Sequence, residues 1–436
     1  MFLRSVWNVR IGMDMSFLRV VKRSLSVSGR ETVRDLASKD GELRVFIVAG
    51  EVSGDIIGSR FMNSLTKLSP FPVRFAGVGG VKLRETIESA LTFRPHVVLT
   101  VDSKGFCFRF LKQLRARYGH NRVACPPHFH YVAPSFWAWR GGESRLKGLS
   151  EFVDHVFCIL PFEADVLRSN GLAATFVGHP TLEDALELKR GFLERFVLQI
   201  NKCVDDEWKV EGDGEKFRRD CGISSESTII SVFPGSRLQE VTRMISIFSH
   251  TMELLKNVFT ELTAVIHVAP NKHVEEYISN AICQWPVSTI LVPGGSPCMK
   301  YNSFSASRVA LCTSGTVAVE LQLARLPCVV AYRAHILTEW FIRYKAKIPY
   351  ISLPNIVLDS DIIPEALFES CTPSRLALLL TDLIHDESLR QKQVSAAGKF
   401  LNLLDPLKRD SGNSNQREPT TPSMIAALAV LNSERI

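Results

Sequence analysis

An α/β fold built as two parallel-sheet halves is what this sequence predicts, on three observations. Short apolar β-rich runs alternate with helical stretches from Leu43 to Val177. The alternation starts again at Thr228 and continues to Ala331. Between them, Ala185 to Ile223 is mixed in charge and carries Glu211-Gly212-Asp213-Gly214, a helical connection with a loose loop. Strand, helix, strand in repetition gives a parallel sheet with crossover helices. The 436 residues are enough for two or three domains, and a hydrophobic content of 46% supplies their cores.

Each element has its own justification. Leu43–Gly50 is a β-rich run ending in small residues. Ile56–Leu68 places Ile56, Ile57, Phe61, Leu65 and Leu68 at helical spacing. Val73–Val78 is a strand stopped by Gly79-Gly80, and Lys82–Phe93 is a helix ended by Pro95. Val97–Val101 is continuously apolar, the pattern of a strand buried on both faces. His128–Val132, Val156–Leu160 and Thr175–Val177 complete the first half. The second half has strands at Thr228–Phe233, Ala264–Val268, Thr289–Val292, Val309–Leu311 and Cys328–Ala331, with helices that include Leu238–Val258 and Val317–Ala324. The tail from Asp405 to Thr421 is polar, and Met424–Leu431 is a short apolar helix that needs a partner surface.

Composition narrows the function. The net charge of +7 suits anionic small molecules or an anionic membrane surface, and no nucleic-acid-binding pattern is present. The ten cysteines form no CxxC pair, so they are expected as thiols in a reducing compartment. Nowhere do about 18 apolar residues run together without a charge, so no spanning helix is predicted. Residues 1–40 differ from the rest. Arg4, Arg10, Arg19, Lys22, Arg23 and Arg30 stand against one acid, Asp14, before residue 31. Such an Arg-rich, Ser-containing leader predicts import into an organelle, the mitochondrion before the chloroplast. The alternative is an ordinary basic tail.

In doubly wound sheets ligands sit beyond the carboxyl ends of the strands, so the loops there are the candidates. Ala49-Gly50-Glu51-Val52-Ser53-Gly54-Asp55 joins a strand to a helix. It lacks the GxGxxG spacing of a dinucleotide fingerprint. Asp55 is accounted for as a helix cap; Glu51 is not. Asp102 follows a buried strand and is placed to act as a general base, or to cap the next helix. Trp137, Trp139 and Arg140 form either core or an apolar wall beside a cation. Gly235, Ser236 and Arg237 precede a long helix, an arrangement that suits a diphosphate. Ser314, Gly315 and Thr316 open another helix, and Glu320, outside the capping-box register, could accept both ribose hydroxyls. His128, His130 and His179 tempt a metal reading, but no third ligand accompanies the strand pair. Ordinary core or loop histidines explain them better. No metal or other cofactor is expected.

Taken together, these stretches resemble lipid-A-disaccharide synthases. The carriers are VAGEVSGD from Val48, TVDSKGF from Thr100, YVAPSFWAWR from Tyr131 and LPFEADV from Leu160. FVGHP from Phe176, FPGSRLQEV from Phe233, TSGTVAVELQLARLPCVVAYR from Thr313 and YISLPNIVLDSDIIPE from Tyr350 follow in one order. The resemblance implies a GT-B fold, two Rossmann-like domains facing across a cleft. Its division here would be a leader at 1–40, an acceptor-side domain at 41–185, a connection at 186–225, a UDP-sugar domain at 226–404 and a tail at 405–436. It implies hexosyl transfer of 2,3-diacylglucosamine from UDP to the 6-hydroxyl of 2,3-diacylglucosamine 1-phosphate (lipid X), with inversion to a β-1,6 link and no metal. Peripheral membrane contact follows from the acylated substrates, and a homodimer exchanging C-terminal segments is a further implication.

Carried over residue by residue, Asp102 and Glu51 fall on the catalytic carboxylates, and the motifs do not decide between them. Arg237 falls on the diphosphate contact, Ser314, Gly315, Thr316 and Glu320 on the uridine diphosphate pocket, and Asn355 near it. Ser53, Gly54, Asp55, Trp137, Trp139, Arg140 and His179 fall on the acceptor side. Two departures stand out. Lys104-Gly105 replaces the family's Pro-Asp. A family segment with a Val-Met-Gly motif and an apolar helix, on the order of 30 residues or one strand–helix unit, is missing after Gly80. That segment helps form the acceptor side and a membrane-facing patch. The rivals are therefore a non-catalytic form that binds UDP or lipid, and another UDP-GlcNAc-using enzyme of the same fold.

Overall fold

The structure, a computed structural model, describes residues 7–11, 31–79, 82–195, 209–409 and 421–433. Most of the basic leader therefore lies outside the described residues. The chain forms two compact units, Met1–Pro180 with Pro406–Ile436, and Thr181–Asp405.

In the first unit the strands are β1 (Trp7–Ile11), β2 (Leu43–Ala49), β3 (Val73–Gly79), β4 (Val97–Val101), β5 (His128–Tyr131), β6 (His155–Cys158) and β7 (Ala173–Phe176). They lie in the order β1-β3-β2-β4-β5-β6-β7, all parallel except β1. Alternation across the pleat puts Val45 and Ile47 into one buried cluster and Phe46 and Val48 into the other. Both faces are thus covered, as a parallel sheet requires. The helix Val52–Leu68 begins before Ile56, because Ser53 and Gly54 already adopt helical backbone.

The apolar C-terminal helix, Pro422–Leu431, finds its partner in this unit. Ser423 meets Ser64 at 2.8 Å, and Ala426, Ala427, Val430 and Leu431 join the cluster around Phe61 and Phe75. Small residues let the two helices approach closely. The helix Val33–Asp40 is built into the same core. Thr32 and Asp35 close its first turn as a capping box, Val33 and Ala37 are buried, and the Val33 amide donates to the Ser433 carbonyl at 3.1 Å. Residues 33–40 of the stretch assigned to a leader are therefore part of the fold. Within the leader itself, β1 runs antiparallel along β3.

The second unit has β8 (Thr228–Phe233), β9 (Leu262–His267), β10 (Ser288–Val292), β11 (Val309–Cys312), β12 (Cys328–Tyr332) and β13 (Glu365–Leu367). The order β10-β9-β8-β11-β12-β13 is parallel throughout. β13 escaped the sequence reading because three residues carry no periodicity. The main core packs Ile230, Val232, Ile266 and Leu311 against Phe248 and Met252 of the helix Leu238–Lys256.

Each sheet contains one place where successive strands depart in opposite directions. In the first it lies between β2 and β4, in the second between β8 and β11. These are the switch points at which open α/β sheets bind ligands.

Candidate functional site

At the first switch point β2 and β4 end in register, Ala49 opposite Val101. Glu51 and Asp102 therefore leave the sheet side by side. Gly50 is needed for this packing, since a Cβ there would stand 2.5 Å from Ser103 Oγ. Next along the edge, Val101 pairs with Tyr131, which brings in the loop Val132–Arg140. Asp102, Ser103 and Val132 all hold positive φ, at 46°, 42° and 77°. For a β-branched residue such as Val132 this is a costly conformation. Strain of this kind concentrates where geometry serves function. Neither capping explanation holds. The helix after Asp102 starts at Lys104 with Ser103 as its uncapped N-cap, and Asp55 lies inside a helix whose N-cap is Glu51. The Asp102 carboxylate has no hydrogen-bond partner among the described residues. Ser53 and Asp55 are exposed in the first turn of the helix Val52–Leu68, and Gly54 packs under Val101.

Trp137 is neither plain core nor a free wall. Its ring meets Phe162 edge-on at 4.7 Å, and its indole N–H donates to Glu163 Oε1 at 3.1 Å. Trp139 is partly buried and Arg140 exposed. Glu163, which sequence reasoning passed over inside LPFEADV, is buried, and its Oε2 accepts from the Ile159 and Leu160 amides. It pins the aromatic loop to the loop after β6. Burial pushes its pKa up to about 7, against the pull of those donors. The folded protein thus holds this proton more tightly than the unfolded chain. The resulting stability is complete below the ordinary value of 4.5 and is lost as pH rises through about 7. Melting temperature measured across that window should fall in the native chain and flatten in Glu163→Gln; an unchanged slope would refute this assignment. His179, after β7, is buried and its pKa lowered to about 4 by desolvation. His128 and His130 are interior groups of β5, bonded to the Phe152 carbonyl and Thr100. Among the described residues no cluster of His, Cys, Asp and Glu could hold a metal ion.

The second switch point carries a cavity of about 260 Å³. Gly235, Ser236, Ser314, Gly315, Thr316 and Glu320 line it, together with Glu240, His267, Gly294, Gly295 and Lys300. Gly235 (φ 126°) lies against Glu240, whose Oε2 accepts from the Ser236 amide at 3.1 Å. Gly315 (φ 133°) faces open space. No side chain caps the helix that starts at Leu238, which leaves its first amides for an anion. Lys300 Nζ bonds Glu320 Oε1 at 2.9 Å. His267 stacks on Phe233 at 4.1 Å, its Nε2 lies 3.1 Å from Ser231 Oγ, and its buried Nδ1 has no partner. Desolvation, with Lys300 nearby, holds its pKa well below the ordinary value, so the ring is neutral.

Two sequence candidates stand apart from this lining. Arg237 is exposed at the N-cap of its helix, beside Ser236. Asn355 is fully buried. Its amide nitrogen donates to Ile363 O and Glu365, and its oxygen accepts from the Ile362 and Ile363 amides. It acts at a distance, by holding the Ile351 segment whose carbonyl accepts from Ser314 Oγ at 2.9 Å. His267 and Lys300 were missed. The loop after β9, Val268-Ala269-Pro270, was the available signal for the histidine; a lysine inside a helix offered none.

Two doubly wound units, each with its ligand loops at a switch point, make this an α/β protein of the GT-B class. Solved structures share the fold: a UDP-GlcNAc 2-epimerase from Neisseria meningitidis (TM-score 0.56, 12% identity, 83% of this chain and 97% of that one) and a trehalose 6-phosphate synthase from Burkholderia multivorans (TM-score 0.54, 11% identity, 89% and 98%). The family model for lipid-A-disaccharide synthetase matches residues 83–205 and 200–417. A probable mitochondrial lipid-A-disaccharide synthase of Arabidopsis thaliana is 55% identical over 95% of this chain and 96% of its own length. The lipid-A-disaccharide synthase of Rhodospirillum centenum is 35% identical, over 89% and 94%. The chain belongs to the lipid-A-disaccharide synthase family, and is a glycosyltransferase. The Arabidopsis alignment runs over 453 positions, more than the 436 residues of this chain, so it opens gaps in this chain.

Proposed function

We propose that this chain transfers 2,3-diacylglucosamine from UDP to the 6-hydroxyl of 2,3-diacylglucosamine 1-phosphate, releasing UDP and forming a β-1,6 link. The observation that carries this is the coincidence of the family's motif loops with both switch points. Gly235–Ser236, Ser314–Thr316 and Lys300 hold the nucleotide diphosphate at the second. Arg237 adds charge at its rim. Glu320 and the neutral His267 face the nucleoside. At the first, Asp102 takes the proton of the acceptor hydroxyl as that oxygen attacks the anomeric carbon and the C–O bond to UDP breaks. Glu51 is its companion. Ser53, Gly54, Asp55, Trp137, Trp139, Arg140 and His179 serve the acceptor side.

A second reading is favoured by the alignment gaps, which we assign to Gly80, three residues before the family match begins at residue 83. In it the shortened chain binds UDP without turnover. UDP release from detergent-dispersed UDP-diacylglucosamine and acceptor tests both readings, with UDP-GlcNAc as control donor. Release by the native chain supports the first reading. Release only after the missing segment is restored supports the second, and release with UDP-GlcNAc alone defeats both.

We further infer that the enzyme works inside the mitochondrion, on the inner membrane surface. The basic leader and the mitochondrial relative support this. Because Val33–Asp40 is packed core, processing falls before Thr32. Mass spectrometry of the N-terminus of the imported protein checks this, and a terminus beyond Asp40 would contradict it. A homodimer would keep the packing of Pro422–Leu431, with the helix supplied by a second copy.

A further inference from the structure

The helix Ile336–Lys345 follows β12 and is patterned inside out. A helix on a globular domain turns its apolar stripe inward. Here Ile336 is 75% exposed, Leu337 70%, Trp340 69%, Phe341 51% and Tyr344 58%. The four most exposed large hydrophobic residues among those described all belong to this one helix. The residue that faces inward is a carboxylate. Glu339 is buried, and its Oε1 accepts from the Ala334 amide at 3.1 Å. An apolar surface of this kind marks an interaction site.

Its chemistry selects the occupant. The Trp340 and Tyr344 rings, one turn apart, stack at 5.9 Å with 7° between planes, giving a flat aromatic face. Cations gather at its C-terminal end. Arg343 lies over Phe368 and 3.4 Å from Glu369, Lys345 Nζ lies over the Tyr344 ring at 5.3 Å, and Lys347 is exposed. Exposed Trp and Tyr beside Lys and Arg are the composition of a membrane–water interface, whereas Lys is depleted from protein–protein interface cores. Ten residues make a helix of about 15 Å, too short to cross a bilayer but able to lie along it.

We propose that Ile336–Lys345 is the lipid-docking element of this chain. It lies in the plane of an anionic leaflet, with Ile336, Leu337, Trp340, Phe341 and Tyr344 at the acyl boundary and Arg343, Lys345 and Lys347 on the headgroups. The inference deepens the membrane part of the reading above and does not depend on sugar transfer, since vesicle binding is measured without substrate.

The test is flotation of the full chain with phosphatidylcholine vesicles, with and without phosphatidylglycerol, at low and high salt. The native chain should float best on the anionic vesicles at low salt. The double variant Trp340→Ser, Phe341→Ser should partition at least about tenfold more weakly, with circular dichroism and UDP binding unchanged. Arg343→Gln with Lys345→Gln should lose most of the preference for anionic lipid. The basic leader is common to every variant, so the differences report this helix. Equal flotation of the native chain and the serine variant would overturn the proposal. So would a native dimer, seen by light scattering, that the serine variant makes monomeric while vesicle binding stays the same.

Discussion

Replacing Asp102 by Asn is expected to lower turnover by about 10²–10⁴-fold, the usual contribution of a positioned base, while UDP affinity stays at its native value. Asn is the informative substitution. The backbone at Asp102 is left-handed (φ 46°), and Asn tolerates that conformation nearly as well as Asp. Ala would mix backbone strain into the kinetic loss. The amide keeps size and hydrogen-bonding reach but cannot take the proton. Glu51→Gln, made beside it, separates the two carboxylates. Glu51 occupies the N-cap position of the helix Val52–Leu68 without a side-chain cap bond, so Glu51→Gln should leave that helix start intact and, as the change at the companion carboxylate, give the smaller loss. A Glu51→Gln defect as deep as that of Asp102→Asn, with Asp102→Asn near native, would move the base to Glu51. Weakened UDP binding in Asp102→Asn would show that the carboxylate holds the nucleotide rather than the proton.

Much of this architecture was legible in the sequence, for a reason that particular strands make clear. Val97–Val101 is apolar at every position because both faces of the sheet are covered, and the structure reproduces its limits. A reader who finds such runs with Gly-containing loops behind them has found the carboxyl ends of the strands. Six of the eight residues expected to hold the nucleotide do line one cavity. What was not legible depends on contacts between distant segments. Asn355 stands in a conspicuous motif, yet all its hydrogen-bonding capacity goes into the Ile351–Glu365 turn. Glu163 looks like a surface residue at a helix start; burial and three N–H donors reveal it as the peg of the Trp137 loop. The partner of Met424–Leu431 lies more than three hundred positions earlier, at Ser64, where no local pattern points. The helix Ile336–Lys345 shows the converse. It received no reading from the sequence, and its exposure in the structure is what shows that its apolar residues face out.

Lys300 gives the second large effect. Lys300→Ala is expected to weaken UDP binding by about 1.5–3 kcal/mol or more, the range for a charged hydrogen bond. Two terms act in the same direction. The substitution removes a cation that lines the cavity, and it leaves Glu320 there without its partner at 2.9 Å. An unneutralised carboxylate in a partly buried site then repels the incoming diphosphate. Arg237→Ala should weaken binding in the same sense but through a different physical regime. Arg237 stands exposed, so its attraction is screened as salt approaches the point where the Debye length is a few ångströms. Calorimetric titration with UDP at low and high salt separates them: the Arg237 loss should shrink with salt, and the Lys300 loss should persist. The double variant Lys300→Ala, Glu320→Ala should recover part of the affinity lost in Lys300→Ala, because the repulsive charge has gone with its partner. If that double variant binds UDP more weakly than Lys300→Ala, then Glu320 contributes a bond to the nucleoside that exceeds its repulsion of the diphosphate. If Lys300→Ala binds as the native chain does, the diphosphate lies elsewhere and the cavity is not the donor site.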